Sequence, residues 1–170
     1  MSTPRVVARR HHISVRREQY KFSCAHMTVF PDGSKERLHG HNYQVGLDLE
    51  LTDVAFERML PFAAIKDALA AICHDLRERV LVATRNPLTT VVRDDDELEL
   101  LVCGKRYLLP REDAVLLPID NVSVEGLADH LADRLLTRLG PLFPAGVVTA
   151  LACWVSESPG QGATCRLELA

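Results

Sequence analysis

Phe22-Ser23-Cys24-Ala25-His26 and His39-Gly40-His41-Asn42-Tyr43 are the two stretches of sequence around which the chain is organised. His39 and His41 are two residues apart, so on a β-strand their side chains point to the same face, about 6.8 Å apart. Imidazoles placed in this way can turn toward one ion, with Zn–N bonds of about 2.0–2.1 Å. If the strand that ends at His26 pairs antiparallel with the strand that begins at His39, all three histidines meet.

Three neutral imidazoles leave the fourth position of a tetrahedral ion open, which is typical of a catalytic zinc, whereas a structural site is closed by four protein ligands. An isolated His-x-His motif is common and often has no metal. Of the other histidines, His11 and His12 face opposite sides of a strand, while His74 and His130 lie in helical patterns without a partner. The three histidines of the two stretches are therefore the predicted metal ligands, although imidazole also accepts nickel, cobalt, iron and copper.

The same residues carry a resemblance to the 6-pyruvoyl-tetrahydropterin synthase and 6-carboxy-tetrahydropterin synthase family. Phe22-Ser-Cys-Ala-His26 is similar to the family's Phe-Ser-x-x-His strand, and Leu38-His-Gly-His-Asn-Tyr-Gln-Val45 is similar to its His-Gly-His-x-Tyr/Phe strand. The resemblance implies that the three histidines bind Zn²⁺ and that the enzyme acts on a pterin.

The resemblance also implies where the pterin binds. Glu157 ends the strand predicted over residues 146–158 and matches the family's late Val-x-Glu, whose glutamate anchors the pterin ring. A carboxylate in this position can accept two hydrogen bonds, one from the amino group and one from the ring N–H of the pterin. Ser123, at the start of the second predicted helix, loosely matches a residue that faces the pterin, and a plain N-cap accounts for it equally well.

The loop before His39 departs from the commonest family pattern. In the relatives a cysteine just before His-Gly-His acts as a base on the pterin side chain, whereas here Lys35 and Glu36 stand in that place. Some members that resemble this chain have a glutamate there, and those are associated with cleaving 7,8-dihydroneopterin triphosphate to 6-hydroxymethyl-dihydropterin. A carboxylate next to a hydroxyl that a metal has acidified can accept its proton. Glu36 is therefore a predicted catalytic residue; the alternative is a solvated loop charge.

The end of the first predicted helix departs from the family pattern as well. The family helix ends in Leu-Asp-His, whose Asp and His complete a proton relay with the cysteine, and this chain has Leu76-Arg77-Glu78 instead. Glu78 stands at the position of the family's histidine and is predicted to be a second acid or base. His74-Asp75 could replace the relay only if the helix ended differently.

The spacing of apolar residues predicts an α+β fold of strand, strand, helix, helix, strand and strand. That order indicates a four-stranded antiparallel sheet with two helices on one face, which by resemblance is the tunnelling fold. Residues 84–119 add to the family pattern an inserted β-hairpin of short strands, which caps either the pocket or an oligomer edge. We expect residues 1–170 to form a single domain. The predicted strands span 12–27, 41–53, 146–158 and 163–170, and the predicted helices span 61–82 and 121–139.

Composition limits the class of protein. The 170 residues are 47% apolar and 25% charged, as is usual for globular domains. A net charge of −3 gives no reason to expect a nucleic-acid partner, and no apolar run predicts a membrane span. No apolar segment follows the N-terminal arginines, so we expect no signal peptide. Five scattered cysteines, an odd number, favour reduced thiols and a cytoplasmic location.

These features together predict a zinc-dependent lyase acting on 7,8-dihydroneopterin triphosphate or a related dihydropterin. By resemblance the protein is a homo-oligomer, a hexamer of two trimers with its sites between subunits. A 6-pyruvoyl or 6-carboxy product is disfavoured because Lys35, Arg77 and Glu78 replace the residues which that chemistry uses. The alternative is a catalytically altered homologue or partner subunit that binds zinc and pterin without synthase activity. A third interpretation is an unrelated metal hydrolase with a three-histidine site.

Overall fold

The computed structural model describes residues 5–170, so the first four residues of the predicted domain lie outside the described part. The described chain contains ten strands and two α-helices. Within it, neither helix combines the length and the hydropathy needed to cross a membrane. The strands are β1 His11–Val15, β2 Lys21–His26, β3 His39–Leu51, β4 Arg79–Ala83, β5 Thr89–Asp94, β6 Glu97–Val102, β7 Lys105–Pro110, β8 Ala114–Leu117, β9 Val148–Ser158 and β10 Gln161–Glu168; the helices are α1 Phe62–Leu76 and α2 Val124–Leu139.

One sheet of seven strands has the order β10-β9-β3-β2-β4-β8, with β1 also paired to β3. The long strand β3 is antiparallel to β1 and β2 along one edge and to β9 along the other, and β9 is antiparallel to β10. The predicted strand over 12–27 is broken into β1 and β2 by a turn in which the Tyr20 N–H donates to the Arg17 carbonyl at 3.0 Å. This antiparallel part, covered by α1 and α2, confirms the predicted α+β tunnelling fold.

The face of β3 that carries His39 and His41 also carries the protein core. Alternate residues from Tyr43 to Leu51 are at most 3% exposed and pack against α1 and α2. Burying one such side chain contributes about 1.5–3 kcal/mol, and a shift of register by one residue would expose all of them. The apolar core therefore fixes the register that points both histidines to one face. The α1 and α2 residues that meet this face include Ile65, Leu69, Ile72, Leu127, Leu131 and Leu135.

The first helix ends earlier than the predicted residue 82. Leu76 is its last residue, Arg77 is extended, and Glu78 has a φ of 58°, which reverses the chain into β4. The β4 segment Arg79-Val80-Leu81-Val82-Ala83 pairs parallel with β2 and with β8. Its β-branched residues favour a strand, and the tertiary pairing overrides the helical spacing of Val80.

The segment over residues 84–119 forms a separate three-stranded antiparallel sheet, β5-β6-β7, which bears out the short strands predicted there. The last strand of the 84–119 segment, β8, joins the main sheet beside β4 instead. The sequence pattern did not distinguish β8 from the inserted strands. Leu98, Leu100 and Val102 are at most 2% exposed and form a second core with Met27 and Val29. The inserted sheet, as we call β5–β7, therefore packs against the loop that follows His26.

Candidate active site

Pairing of β2 with β3 brings the three predicted metal ligands together. The ladder is antiparallel and places His26 directly opposite His39, with Cys24 opposite His41. One ring nitrogen from each histidine lies within 4.8 Å of the others, and Nε2 of His39 lies 3.0 Å from Nε2 of His41. The meeting of His26 with the His-x-His pair is the arrangement that the two sequence motifs predict.

The surroundings of His39 orient its ring. Nδ1 of His39 lies 2.8 Å from the Arg37 carbonyl oxygen. A carbonyl can only accept a hydrogen bond, so Nδ1 carries the proton and Nε2 keeps its lone pair. A backbone partner of this kind fixes the tautomer of metal-binding histidines. The free nitrogen of His39 therefore faces Nε2 of His41.

His26 is buried and neutral. His26 is only 2% exposed, and its Nε2 lies 3.1 Å from the Tyr43 hydroxyl. Burial, followed by the nearby His39 and His41, lowers the pKa of His26 to about 4. The neutral imidazole is the form that binds metals.

The three residues fit a divalent cation. Two nitrogens bonded at about 2.0–2.1 Å to one tetrahedral ion lie about 3.4 Å apart, close to the 3.0 Å between His39 and His41. The donor set of three imidazoles matches a zinc site with one open position.

Glu36 lies beside the three histidines. Its Oε2 is 3.9 Å from Nε2 of His39, and its side chain is 43% exposed. A hydrogen bond from the Thr28 hydroxyl holds the pKa of Glu36 below its usual value. Partial burial acts in the opposite direction and raises this pKa, while the nearby His39 and His26 lower it by smaller amounts. The Glu36 N–H also donates to the Thr28 carbonyl at 2.9 Å. The structure thus places an ionised carboxylate next to the histidines.

Glu157 lies near the end of β9 on the same side of the sheet as the histidines. Val155 pairs with Val45 across the ladder, so Glu157 shares its face with Tyr43 on the neighbouring strand. Burial raises the pKa of Tyr43, and the nearby Cys24 and the Glu157 carboxylate raise it further. The Gln161 amide donates a hydrogen bond to Glu157. A second carboxylate therefore stands on the histidine face, close enough to Tyr43 to act on its pKa.

Ser123 is the N-cap of α2. Its Oγ accepts a hydrogen bond from the Gly126 N–H at 3.2 Å, which satisfies one of the free donors at the start of the helix. The described contacts of its hydroxyl are thus those of a helix cap.

Glu78 lies apart from the histidines of its own chain. It lines a depression of about 390 Å³ with Lys21, Ser23, Asn42 and Gln44, whose side chains leave the opposite face of β2 and β3. Its N–H donates to the Ser23 carbonyl at 2.7 Å. The structure therefore brings together His26, His39, His41, Glu36 and Glu157, and it does not bring Glu78 to them within one chain.

Tyr43 and Asn121 are site residues that the sequence did not single out. Tyr43 is two residues after His41 in a strand, so the strand period alone could have placed Tyr43 on the same face as the histidines. Asn121 accepts a hydrogen bond from the N–H of Val29, in the loop between β2 and β3, across 92 residues of sequence, and no local pattern indicates such a contact. Cys24, on the histidine face, is no substitute for the family's catalytic cysteine, since burial raises the pKa of its thiol to about 12.

Comparison with known proteins gives the same grouping. Residues 14–168 match the family model of 6-pyruvoyl tetrahydropterin synthase. The predicted 6-carboxy-5,6,7,8-tetrahydropterin synthase of Methanocaldococcus jannaschii is 29% identical over 147 residues, which is 86% of this chain and 89% of that protein.

Solved structures extend the similarity to the fold. The 6-pyruvoyl tetrahydropterin synthase of Plasmodium vivax has a TM-score of 0.86 at 25% identity, covering 95% of this chain and 99% of that one. A variant of the same enzyme, in which a catalytic glutamate is replaced by alanine, has a TM-score of 0.86 at 24% identity with the same coverage. The chain described here belongs to the 6-pyruvoyl tetrahydropterin synthase family.

Proposed function

We propose that the protein is a zinc-dependent lyase that acts on 7,8-dihydroneopterin triphosphate or a closely related dihydropterin. The observation that carries this function is the 3.9 Å separation between the Glu36 carboxylate and Nε2 of His39. It puts a group able to accept a proton beside three imidazoles that fit a catalytic metal ion. Membership of the family supports a pterin as the substrate.

Each residue of the site would have a distinct role in binding or catalysis. His26, His39 and His41 would hold zinc, which when bound acts as a Lewis acid on a substrate oxygen. Glu157 would accept hydrogen bonds from the amino group and ring N–H of the pterin and so orient it. Ser123, at the start of α2, would add a hydrogen bond to the ring, besides capping the helix.

Glu36 would accept the proton of the hydroxyl on the second carbon of the substrate side chain. The bond between the first and second side-chain carbons then breaks, and its electron pair passes to the first carbon, next to the pterin ring. Protonation of that carbon gives 6-hydroxymethyl-dihydropterin, and the rest of the side chain leaves as an aldehyde that carries the triphosphate. The Plasmodium vivax enzyme, which also has a catalytic glutamate, supports this role.

We also propose a hexamer of two trimers with sites between subunits. Two observations support it: in the described residues, β1 and β10 each leave one edge unpaired, and Glu78 lies on the face away from the histidines of its own chain. Open edges tend to pair with another chain. Glu78 would then act as an acid or base in a neighbouring subunit's site. The cytoplasmic location and the single domain over 1–170 stay predictions.

The test is incubation of zinc-loaded protein with 7,8-dihydroneopterin triphosphate, with products identified by mass. We expect 6-hydroxymethyl-dihydropterin from the wild type and none above background from Glu36→Ala, while Glu157→Ala fails to bind substrate well. A 6-pyruvoyl or 6-carboxy product would contradict the proposed cleavage. Tight substrate binding without any product would favour the alternative, a homologue or partner subunit that binds zinc and pterin and has lost the chemistry.

A further inference from the structure

The Glu36 loop, residues 27–37, is a small hairpin between β2 and β3. Val29 and Lys35 form an isolated antiparallel bridge, and the Phe30 N–H donates to the Ser34 carbonyl at 2.9 Å. Gly33 turns the chain at a φ of 85°, which a glycine adopts without strain. The Glu36 backbone is therefore part of a defined turn whose position depends on what holds the hairpin.

Asn121 holds this loop on one side. Its Oδ1 accepts the Val29 N–H at 3.0 Å, and its Nδ2 donates to the Val29 carbonyl at 2.9 Å. A side-chain amide that uses both its donor and its acceptor on one residue binds the backbone much as a neighbouring strand does. Gly126 permits this placement, because a Cβ there would lie 2.5 Å from the Asn121 carbonyl oxygen.

The inserted sheet holds the loop on the other side. Its buried leucines pack against Met27 and Val29, as described above. The Lys35 ammonium lies 5.2 Å from the centroid of the Tyr107 ring, a distance at which a cation is attracted to the ring face. The Cys103 thiol lies 3.8 Å from the Ser34 carbonyl oxygen and donates to it. The inserted sheet therefore contacts the residues on both sides of the turn.

We propose that Asn121 and Tyr107 are positioning residues that fix Glu36 relative to His39. The Glu36 side chain is 43% exposed and is held by the Thr28 hydroxyl, which belongs to the same loop, so the backbone of the loop sets the place of the carboxylate. A displacement of about 1 Å in a catalytic group can cost about 100-fold in rate. The inference rests on the proposed role of Glu36. It also assigns a function to the inserted sheet, which is to support the Glu36 loop.

Four variants separate the contribution of Asn121 from that of Tyr107 to the position of the loop. Asn121→Ala removes both hydrogen bonds to Val29, and Asn121→Asp keeps the acceptor for the Val29 N–H but loses the donor. Tyr107→Leu removes the aromatic ring, and Tyr107→Phe keeps the ring and loses only the hydroxyl. Arg106→Ala is the matched control in the same strand, because the exposed Arg106 side chain pairs with Glu99 and not with the loop.

The first measurement is amide hydrogen exchange of the zinc-loaded protein, which needs no turnover. We expect the Val29 and Glu36 amides to exchange at least about 10-fold faster in Asn121→Ala, by a smaller factor in Asn121→Asp and Tyr107→Leu, and at the wild-type rate in Tyr107→Phe and Arg106→Ala. Melting temperatures recorded in parallel identify any change that comes from global unfolding. Unchanged exchange in a folded Asn121→Ala protein would overturn the positioning role.

The second measurement is steady-state kinetics in two backgrounds. Asn121→Ala should lower kcat about 10- to 100-fold with little change in KM, and it should have no further effect when Glu36 is already glutamine. An equal loss in both backgrounds would show that Asn121 acts independently of Glu36 and would contradict the inference. If the wild type shows no turnover at all, the proposed function fails, while the exchange rates still decide whether these residues hold the loop.

Discussion

Oε2 of Glu36 lies 3.9 Å from Nε2 of His39, the nitrogen that the Arg37 carbonyl leaves free for a ligand. This distance is longer than a hydrogen bond, so the carboxylate and the imidazole face the same space without closing it. Glu36 lies in the hairpin loop that precedes β3, three positions before His39 in the sequence. The arrangement joins a metal-binding group to a proton acceptor at the point where the sequence departs from the commonest family pattern.

Metal content tests the three histidines. We expect the wild type to bind about one zinc per chain, and His26→Ala or His41→Ala to lose it, because a catalytic zinc site has three protein ligands and each variant leaves only two imidazoles. His74→Ala is the control, since His74 is exposed on α1. Elemental analysis after gel filtration makes the measurement, and full zinc content in His41→Ala would contradict the site.

Pterin affinity tests Glu157. Replacing its carboxylate by an amide, Glu157→Gln, exchanges an ionised acceptor for a group that matches the ring N–H and amino donors poorly. Hydrogen bonds to charged groups contribute about 1.5–3 kcal/mol, so the Kd for an unreactive pterin should rise about 10- to 150-fold with zinc content unchanged. Glu168→Gln, exposed on β10, should bind as the wild type does. Equal affinity in the two variants would remove Glu157 from the site.

The buried Asp48 carboxylate makes stability depend on acid. Burial alone would raise its pKa, but hydrogen bonds from Arg16 and Ser14 and the charge of Arg16 hold the pKa of Asp48 below its usual value. Because the pKa is lower in the folded state, the stabilisation is complete above the unfolded value of about 3.9 and disappears as the pH falls through the folded value.

Asp48→Asn should therefore lower the free energy of unfolding by about 1–3 kcal/mol at pH 7 and by clearly less at pH 3. Urea denaturation at several pH values measures the difference. Asp67→Asn is the control, because Asp67 is exposed on α1. A penalty for Asp48→Asn that stays constant down to pH 3 would contradict the effect of Arg16 on this carboxylate.

Adjacent leucines in the inserted sheet test its second core. Leu100 is 0% exposed and Leu101 is 39% exposed, on opposite faces of β6. Leu100→Ala should lower the free energy of unfolding by about 2–5 kcal/mol through lost burial and a cavity, and Leu101→Ala by less than about 1 kcal/mol. Chemical denaturation measures both, and similar losses would mean that the inserted sheet does not pack as described.

The sequence was most informative where local periodicity and pairing agree. The two-residue spacing of His39 and His41 and the alternation of apolar residues after them place both histidines on the core face of β3. Antiparallel pairing with the strand that ends at His26 then completes the cluster. These inferences needed only the period of a strand and one assumed pairing.

The remaining features depend on contacts between residues that are distant in sequence. The helical spacing up to Val80 gave no sign that β4 would be drawn into parallel pairing with β2 and β8. Asn121 binds Val29, which is 92 residues away in sequence. The Glu78 side chain lies on the face of the sheet opposite the histidines. No local pattern records such contacts, because tertiary packing decides them.

The rate of Glu36→Gln with 7,8-dihydroneopterin triphosphate tests the central claim most directly, because glutamine keeps the size of the side chain and cannot accept the proton. We expect wild-type zinc content and substrate binding, and a kcat lower by about 100- to 10,000-fold, the usual contribution of a general base. Glu57→Gln, exposed in the short helix before α1, should match the wild type. A Glu36→Gln protein that forms 6-hydroxymethyl-dihydropterin at the wild-type rate would contradict the role of Glu36 as the base.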